Sequence, residues 1–300
     1  MKAVIVTKQG KPEVLQIQEI EKPTPKDNEV LIKVYATTVT AGDVIMRKAG
    51  FSMLLLLRLF GFKKKKIPGT EFSGIIEAVG KNVTKFKVDD EIFGTTTGLA
   101  VGGASEYICL PETWKKGVFM TKASNKSFEE AAATVVGGMT ALHLLKKAPI
   151  QQGTKFLIYG ASGSVGTFAV QLVKYFGAEV TAVCSTKNIE LVRSLGADKV
   201  FDYTSDDFTS ILETRSYDVV FDAVGKLKLG KKAVKAGGKY LSVKSMTDET
   251  LEKLEKLKEI SEEGKLNIII DKSFTLEEIV EAHRYVEKGH KRGNVIIKVN

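Results

Sequence analysis

The stretch that decides the fold is "YGASGSVGTF", residues 159–168. It begins where the apolar run "KFLIYG" at 155–160 ends, and it leads into "SVGTFAVQLVKYFG", whose apolar residues recur at helical spacing. Gly163 and Gly166 have the spacing of the last two glycines of G-x-G-x-x-G, and Ala161 occupies the first position. Glycines between a buried strand and a helix are what a pyrophosphate-binding turn requires, so the stretch predicts a dinucleotide site.

Each small residue of this turn has an expected task. Gly163 lets the backbone approach the phosphates, and Gly166 lets the helix pack closely on the strand, while the helix N-terminus holds the negative charge. Ala161 fits the tight turn as long as its φ stays negative. The alternative is a glycine-rich turn without a ligand, but the strand, the helix and the next strand together favour dinucleotide binding.

The chain changes character near residue 125. Before it, short β-branched runs such as "VLIKVYATTV" and "SGIIEAVG" alternate with turn residues, which is typical of an all-β region. A capping pattern at Ser127 and Glu130 then opens a long helix. From residue 155 onward, strand patterns ("EVTAVC", "KVFDY", "YDVVFDAVG") alternate with helix patterns ("NIELVRSLG"), which predicts a parallel, doubly wound α/β sheet.

The composition bounds the class of protein. A chain of 300 residues favours two domains, and 43% hydrophobic with 27% charged residues is typical of a folded protein with a large core. Cys109 and Cys184 lack C-x-x-C spacing, which argues against a disulfide framework or a cysteine zinc cluster. No apolar run reaches the roughly 18 to 20 residues of a membrane span, and the first residues lack a signal-peptide core, so we expect a soluble cytoplasmic protein. The net charge of +9 fits an anionic partner or simple solubility, and we expect no nucleic acid.

The end of the second strand predicts which dinucleotide binds. An NAD site usually carries Asp or Glu about twenty residues after the glycines, where it accepts a hydrogen bond from the ribose 2′-hydroxyl. Here the strand ends in "VCSTKN", with Ser185 and Lys187 and without a carboxylate. A hydroxyl and an ammonium group suit a 2′-phosphate, so NADPH is the expected cofactor. The alternative is that Lys187 only begins the next helix in solvent.

Several segments carry a family resemblance that covers nearly the whole chain: "MKAVIV", "GTEFSGIIEAVGKNVTKFKVDDEIFG", "AAATVVGGMTALHLL", "GASGSVGTFAVQLVKYFGAEVTAVCST", "DVVFDAVG" and "GHKRGNVIIKV". With them the chain resembles the medium-chain dehydrogenase/reductase superfamily, and within it the zinc-independent quinone oxidoreductase and enone reductase branch, where A-x-G-x-x-G is common. The resemblance implies an α/β fold with a GroES-like β-barrel catalytic domain at 1–124, completed by 266–300, and a Rossmann NADP-binding domain at 125–265.

The resemblance also bears on metal binding. Zinc-dependent members of the superfamily carry Cys, His and Cys ligands, with the His in a G-H-E motif. That motif is Gly69-Thr70-Glu71 here, and the two cysteine positions fall in "TVTAGD" and "VVGGMT", which contain neither Cys nor His. Hydroxyls and glycines are poor zinc donors, so we expect no metal. We interpret the three histidines as ordinary surface or core residues: His143, His283 and His290.

Without zinc, the expected chemistry is hydride transfer to an electron-poor acceptor. Alcohol oxidation loses the Lewis acid that stabilises an alkoxide, whereas reduction of a quinone or enone needs only the nicotinamide held against the acceptor and a stabilised product oxygen. In "VTAGDVIMRKAG", Thr40 and Ile45 stand at Asn and Tyr positions of the branch, while Asp43 and Arg47 are retained. Thr40 is a candidate donor to the substrate oxygen. Asp43 and Arg47 are candidate catalytic residues or residues that pin the barrel to the cofactor domain.

The resemblance implies further cofactor contacts by motif position. Thr140 would meet the nicotinamide ribose, and Tyr203 would lie near the adenosine. The fourth and fifth strand ends would approach the nicotinamide, and Asn294 matches a position that reaches the cofactor. Together with the turn, the expected cofactor-binding residues are Thr140, Ala161, Ser162, Gly163, Ser164, Val165, Gly166, Ser185, Lys187, Tyr203, Ala223, Val224, Gly225, Ser242, Val243 and Asn294.

Two segments depart from the family pattern. "FSMLLLLRLFGFKKKK" at 51–66 is either an amphipathic helix in weak contact with a membrane surface or, as we favour, a flap over the substrate pocket. After "GGKYLSV" the strand that pairs across the family's dimer is missing, because "KSMTDET" leads directly into a helix. We therefore expect the strand at 239–243 to form a protected edge of a five-stranded sheet and the protein to be a monomer or weak dimer.

Together these features predict a zinc-free, NADPH-dependent oxidoreductase that reduces a small electrophilic substrate, either a quinone or an α,β-unsaturated carbonyl. Two alternatives stay open. One is an NAD(P)-dependent alcohol or aldehyde dehydrogenase, which the missing zinc ligands disfavour. The other is a catalytically weak NADPH-binding protein at a membrane surface, which the substitutions at Thr40 and Ile45 favour and the intact cofactor segments disfavour.

Overall fold

The computed structural model describes residues 1–49, 66–204, 215–227 and 230–300. The chain divides into two compact units, and the predicted domain boundaries at residues 124 and 265 stay predictions. The segment predicted as a flap or membrane contact lies, apart from Lys66, outside the described residues. Unit 1 comprises Met1–Val136, Glu249–Lys258 and Ile270–Asn300, and unit 2 comprises Gly137–Asp248 and Glu259–Ile269.

Among the described residues, no helix has the length and apolar character of a membrane span. The strands and helices are numbered in chain order. The strands are β1 Lys2–Val6, β2 Leu15–Glu19, β3 Glu29–Thr38, β4 Glu71–Val79, β5 Glu91–Thr95, β6 Tyr107–Pro111, β7 Phe119–Thr121, β8 Lys155–Tyr159, β9 Glu179–Cys184, β10 Lys199–Asp202, β11 Tyr217–Asp222, β12 Val234–Ser242, β13 Ile270–Thr275 and β14 Asn294–Lys298. The α-helices are α1 Ala41–Lys48, α2 Phe128–Leu145, α3 Ser164–Tyr175, α4 Ile189–Ser194, α5 Gly230–Ala233, α6 Leu251–Glu262 and α7 Ile279–Glu287.

Unit 2 is built on a parallel sheet. Among the described residues, its strands pair in the order β10-β9-β8-β11-β12. This is the order of the first five strands of a dinucleotide-binding sheet. The residues at the centre of β8, Phe156, Leu157 and Ile158, are fully buried, as a strand covered on both faces requires. The predicted doubly wound parallel sheet is confirmed.

The turn after β8 is shaped by its small residues. Gly160 adopts a φ of +77°, in the left-handed region that favours glycine, whereas Ala161 keeps a negative φ. A Cβ added at Gly166, in the first turn of α3, would stand 2.1 Å from the carbonyl oxygen of Gly160. A Cβ at Gly163 would lie 3.5 Å from the same oxygen, which is an ordinary contact. Ala161 therefore has the negative φ that the predicted turn requires of it. At Gly166, by contrast, a side chain would overlap the backbone of the turn.

Helix α2 begins with the predicted capping box. The Glu130 amide donates to Ser127 Oγ (3.2 Å), and the Ser127 amide donates to the Glu130 carboxylate (3.0 Å). Further along the helix, a Cβ added at Gly137 would stand 2.4 Å from the hydroxyl oxygen of Ser164. Because both residues belong to unit 2, α2 packs there directly on the first residue of α3.

Unit 1 contains a sheet of order β13-β14-β3-β4-β5-β7, with β6 paired to β3, and a separate hairpin of β1 and β2. The β13–β14 pair is parallel and the other described pairs of this sheet are antiparallel. The last strand joins an early one, since Ile296 pairs with Thr38. Apolar side chains from β3, β4, β5 and β6 form one core, which includes Ile32, Phe72, Ile92 and Ile108. The all-β region and the return of the chain to it agree with the prediction.

Strand β12 lies at the edge of the described sheet, where β11 is its partner. It is longer than the predicted 239–243 because Val234 already pairs with Tyr217, before a shift in register. The five-stranded parallel sheet with this strand at its edge agrees with the prediction. Whether the edge limits assembly stays a prediction.

Gly166→Ala should lower the free energy of unfolding by about 1 to 3 kcal/mol, because its methyl group would overlap backbone atoms that cannot move without shifting the turn. Urea unfolding measures the effect. Gly163→Ala is the matched control, since its Cβ has room. Equal losses of stability in the two variants would contradict the close approach at Gly166.

Candidate functional site

The predicted phosphate turn forms the N-terminus of α3. Gly163 precedes the helix, and the Thr167 amide donates to the Gly163 carbonyl (2.9 Å) as the first bond of the helix. The amides of the first turn therefore have no carbonyl acceptor within the helix, and they point with the positive end of the helix dipole toward the turn. Ser162 is half-buried, whereas Ala161 is buried. The turn residues lie together in a geometry suited to an anion.

The end of β9 carries hydroxyl and ammonium groups. Ser185 is half-buried and Lys187 is exposed. The carboxylate of Asp202, at the end of the neighbouring strand β10, is buried and accepts bonds from the amide (2.8 Å) and hydroxyl (2.6 Å) of Thr204. Ser185 and Lys187 therefore lie at the carboxyl edge of the sheet, as the sequence predicted.

One buried residue of this edge was missed by sequence reasoning. The Asn188 side-chain Nδ2 donates to the hydroxyl oxygens of Ser162 (3.0 Å) and Ser185 (3.1 Å), so it joins the phosphate turn to the end of β9. Its place directly after "STK" was the available signal. However, Asn before a helix is usually a helix cap, which hid the longer-range contact.

Asp222, the last residue of β11, holds the loop that follows the strand. It is fully buried, and its two oxygens accept four hydrogen bonds. This carboxylate fixes the loop of the predicted nicotinamide contacts 223–225 through Val224 and Gly225, and Gly225 takes a φ of +74° in doing so. The donors are the amides of Val224 (3.0 Å), Gly225 (2.8 Å) and Leu227 (3.1 Å) and the hydroxyl of Tyr240 (2.8 Å).

The carboxyl ends of three neighbouring strands meet beside the turn. The Ala223 amide donates to the carbonyl of Tyr159 (2.9 Å), and the Val243 amide donates to the carbonyl of Asp222 (3.1 Å). The ladder thus continues past the strand ends and brings Ser242 to the same edge. Ligands of open α/β sheets bind at this edge, outside the carboxyl ends of the strands.

The remaining predicted contacts are distributed over both units. Tyr203 follows β10, is 44% exposed, and its ring centre lies 6.4 Å from that of Tyr159. Thr140 is half-buried on the part of α2 that belongs to unit 2. Asn294 begins β14 in unit 1, where it is buried. The structure therefore brings Tyr203 to the sheet edge of the turn, and Asn294 belongs to the other unit.

In unit 1, Thr40 and Asp43 form the capping box of α1. Thr40 Oγ1 accepts from the Asp43 amide (3.1 Å), and the Thr40 amide donates to Asp43 Oδ2 (2.9 Å). The Thr40 hydroxyl donates to the same carboxylate (2.6 Å), as does the hydroxyl of Thr70 (3.2 Å). Asp43 thus accepts hydrogen bonds from both hydroxyl groups. The Thr40 hydroxyl can then interact with a further group only as an acceptor.

Arg47 ties elements of unit 1 together. Its guanidinium donates to the carbonyl of Gly10 (2.7 Å) and forms an ion pair with Glu287 (2.7 Å), which joins α1 to α7. His283 of α7 is buried, and burial lowers its pKa to about 4 while the Asp43 charge opposes the shift. His283 is therefore neutral at pH 7, and these contacts of Arg47 lie within one unit.

Glu71, the last residue of the Gly69-Thr70-Glu71 motif, is a buried acid. The Val136 amide donates to one carboxylate oxygen (2.5 Å), and the Thr38 hydroxyl donates to the other. Burial raises the pKa of Glu71 to about 8, although these two bonds and the charge of Lys291 oppose the shift. Burial likewise lowers the pKa of Lys291 to about 8, with Glu71 opposing. Glu71 is thus largely protonated at neutral pH.

Family models match both halves of the chain. The model described as the alcohol dehydrogenase GroES-like domain matches residues 26–119. Two models described as zinc-binding dehydrogenase match residues 164–261 and 230–297. The first match covers most of the sheet of unit 1, and the second begins at the first residue of α3.

Known proteins align with nearly the full chain. It is 32% identical to 2-methylene-furan-3-one reductase of Solanum lycopersicum and 29% identical to NADPH-dependent alkenal/one oxidoreductase, chloroplastic, of Arabidopsis thaliana. Each match covers 99% of this chain and 79% of the relative. The solved quinone oxidoreductase from Coxiella burnetii has a TM-score of 0.84 at 28% identity, covering 100% of this chain and 99% of that one. The chain belongs to the medium-chain dehydrogenase/reductase superfamily, in its quinone oxidoreductase branch, and is an oxidoreductase.

The residues present do not fit the zinc that two family models carry in their description. Thr70 stands at the family's histidine position, and its hydroxyl is bonded to Asp43. Across the ranges that the structure describes, no group of three or more His, Cys, Asp or Glu side chains could hold a metal ion. The described side chains around Thr70 therefore offer no zinc site, and independence from zinc stays a prediction.

Glu71→Gln should change how stability depends on pH. In the unfolded chain Glu71 ionises near its ordinary pKa of about 4.3, whereas the folded protein keeps it protonated up to about pH 8, so the folded state binds the extra proton between these values. Rising pH therefore destabilises the native protein relative to the Gln variant. Between pH 5.5 and 7.5 the difference in free energy of unfolding should move by about 2 to 3 kcal/mol in favour of the variant.

Urea unfolding at several pH values measures this shift, and a constant offset between the two proteins does not affect it. Glu255→Gln, at an exposed position of α6, is the control and should follow the native protein at every pH. Parallel stability curves for the native protein and Glu71→Gln would mean that Glu71 ionises normally.

Proposed function

We propose that the protein uses NADPH to reduce a quinone or an α,β-unsaturated carbonyl. The observation that carries the proposal is the turn at the N-terminus of α3, which lies at the same sheet edge as the polar end of β9 and the loop held by Asp222. The relatives named for alkenal/one and furanone reduction and for quinone oxidation–reduction support the same chemistry.

The residues of unit 2 fit a dinucleotide. Gly163 and Gly166 leave backbone rather than side chain against the turn, so a pyrophosphate can approach the amides of α3. Ser185 and Lys187 would bind a 2′-phosphate, and Tyr203 would lie near the adenosine. Thr140, the loop 223–225 and residues 242–243 would bind the nicotinamide end, as would Asn294 of unit 1. When bound, NADPH supplies a hydride from its nicotinamide ring.

The catalytic assignment is also a proposal. Thr40, Asp43 and Arg47 are the candidates, and their contacts suit different tasks. Asp43 orients the hydroxyls of Thr40 and Thr70. Arg47 positions α1 against α7. Since the Thr40 proton is engaged by Asp43, the contacts favour water over Thr40 as the source of the proton that completes the reduction.

We also propose the domain bounds, the oligomeric state and the location of the protein. The domains are 1–124 with 266–300 and 125–265, and the protein is a monomer or weak dimer in the cytoplasm. The edge position of β12 supports the assembly proposal, because the sheet has no described strand beyond it. An NAD(P)-dependent alcohol or aldehyde dehydrogenase stays the alternative, and the residues around Thr70 count against it because they offer no zinc ligands.

NADPH should bind at least about tenfold more tightly than NADH, because one charge-assisted contact to the 2′-phosphate contributes about 1.5 to 3 kcal/mol. Titration followed by nicotinamide fluorescence measures both affinities. Lys187→Ala should reduce the ratio of NADPH affinity to NADH affinity. Lys155 is an exposed lysine at the amino edge of the same sheet, and Lys155→Ala should leave this ratio unchanged. Equal affinities for the two cofactors in the native protein would refute the assignment.

Bound NADPH should be oxidised by quinones or enals and should persist in the presence of saturated aldehydes, with full turnover after exhaustive chelation. Stopped-flow absorbance with a panel of acceptors measures this, because hydride loss removes the nicotinamide absorbance. Activity that falls on chelation and returns with Zn²⁺ would favour the alcohol dehydrogenase alternative. NADPH binding without oxidation by any acceptor would favour the catalytically weak alternative.

A further inference from the structure

Asn188 has an unusual set of contacts for a residue in its position. It directly precedes α4, where the side chain of Asn ordinarily caps the helix by accepting a bond from a backbone amide. No such capping bond is made here within the described residues. Its Nδ2 instead reaches Ser162, 26 residues earlier, and Ser185. Capping of α4 therefore does not explain this side chain.

The second observation is the other half of the amide. Asn188 is 4% exposed, and in the described part of the chain its Oδ1 has no hydrogen-bond partner. A buried acceptor without a donor is destabilising, and an apolar side chain of the same shape would avoid that loss. Stability alone therefore gives no reason for an amide at this position.

The geometry dictates the direction of two serine protons. A hydroxyl oxygen that accepts a bond from Nδ2 must direct its own proton elsewhere. Ser162 and Ser185 are both half-buried, so that proton has access to the sheet edge. Two hydroxyls, one in the phosphate turn and one at the end of β9, thereby keep a proton to donate to a group other than the Asn188 Nδ2. Donors suit phosphate oxygens, which can only accept.

We propose that Asn188 is a positioning residue that orients the Ser162 hydroxyl as a donor in the phosphate turn and the Ser185 hydroxyl as a donor to the 2′-phosphate, and that it favours NADPH over NADH through Ser185. The inference rests on the proposed function, because it needs a dinucleotide at this edge. It extends that function by assigning selectivity to a residue that acts through the two serines.

Replacement of the Asn188 amide by a carboxylate reverses the direction of the hydrogen bonds between residue 188 and the two serines. In Asn188→Asp the carboxylate accepts the serine protons, which turns the lone pairs of both oxygens toward the cofactor and adds a negative charge. We expect at least a tenfold loss of NADPH affinity and a smaller loss of NADH affinity, because NADH shares the phosphate turn that contains Ser162 but lacks the 2′-phosphate near Ser185. The preference for NADPH should therefore largely disappear. Asn267→Asp, an exposed Asn of unit 2, is the control for the added charge and should leave the ratio unchanged.

Asn188→Leu separates positioning from stability. It removes both bonds to the serines and also the unpaired oxygen, so thermal unfolding should occur at the native temperature or above it, while the NADPH-to-NADH affinity ratio falls. Ser185→Ala should then have a smaller effect on NADPH affinity in the Leu background than in the native protein, because residue 188 acts through that hydroxyl. A purely structural role would lower thermal stability and leave the affinity ratio intact.

Fluorescence titration with NADPH and NADH, together with calorimetric titration of 2′,5′-ADP and 5′-AMP, decides the question. A native protein that binds none of these would overturn the proposed function itself. A native protein that prefers NADPH while both Asn188 variants keep that preference would overturn only the role of Asn188. A normal ratio in Asn188→Asp alone would mean that the serine protons already point to residue 188, which also contradicts the proposal.

Discussion

The contact on which unit 2 depends is the one between Gly166 and the carbonyl of Gly160. The absence of a Cβ at Gly166 lets α3 begin directly against the end of β8. From that contact follow the place of the first-turn amides at the turn and the position of Ser162 opposite the end of β9. If a side chain at this position held α3 further from β8, the positive end of the helix dipole would lie further from the turn. Its effect there would be weaker, because the effect of the dipole falls off within a turn.

Three buried polar residues show how differently such groups are accommodated in one protein. Asp222 remains acceptable in the interior because four donors surround it. Glu71 has two donors and keeps its proton instead. Asn188 satisfies its donor group, whereas its oxygen has no partner among the described residues. The cost of burial is thus offset by bonding in the first case and by neutralisation in the second. In the third case, the cost of burying the Asn188 oxygen is not offset by any bond among the described residues, and this oxygen lies near the sheet edge where a ligand would bind.

The sequence predicted the features that depend on local patterns. The parallel sheet, the capping box at Ser127 and Glu130, the turn at Ala161 and the family followed from periodicity and motifs, which need only neighbouring residues. The contacts of Asn188, Asp222 and Glu71 could not be predicted in this way, because their partners are far away in the chain or lie on backbone amides that carry no sequence signal. The full length of β12 was missed for a similar reason, since Val234 joins the sheet before the register shift. The site residues themselves remain predictions, and so does the absence of zinc.

The pairing of Thr38 with Ile296 has a consequence for the order in which the protein can fold during synthesis. The parallel sheet of unit 2 uses a continuous segment, from β8 to β12, and can pair as soon as that segment leaves the ribosome. Strand β3 has β4 and β6 as early partners, but its place beside β14 stays open until nearly the whole described chain has been made. Contacts between distant residues form slowly, and an unpaired strand edge attracts other chains. Unit 1 is therefore the part of the nascent protein that most needs protection, although its first strands are synthesised before the parallel sheet of unit 2.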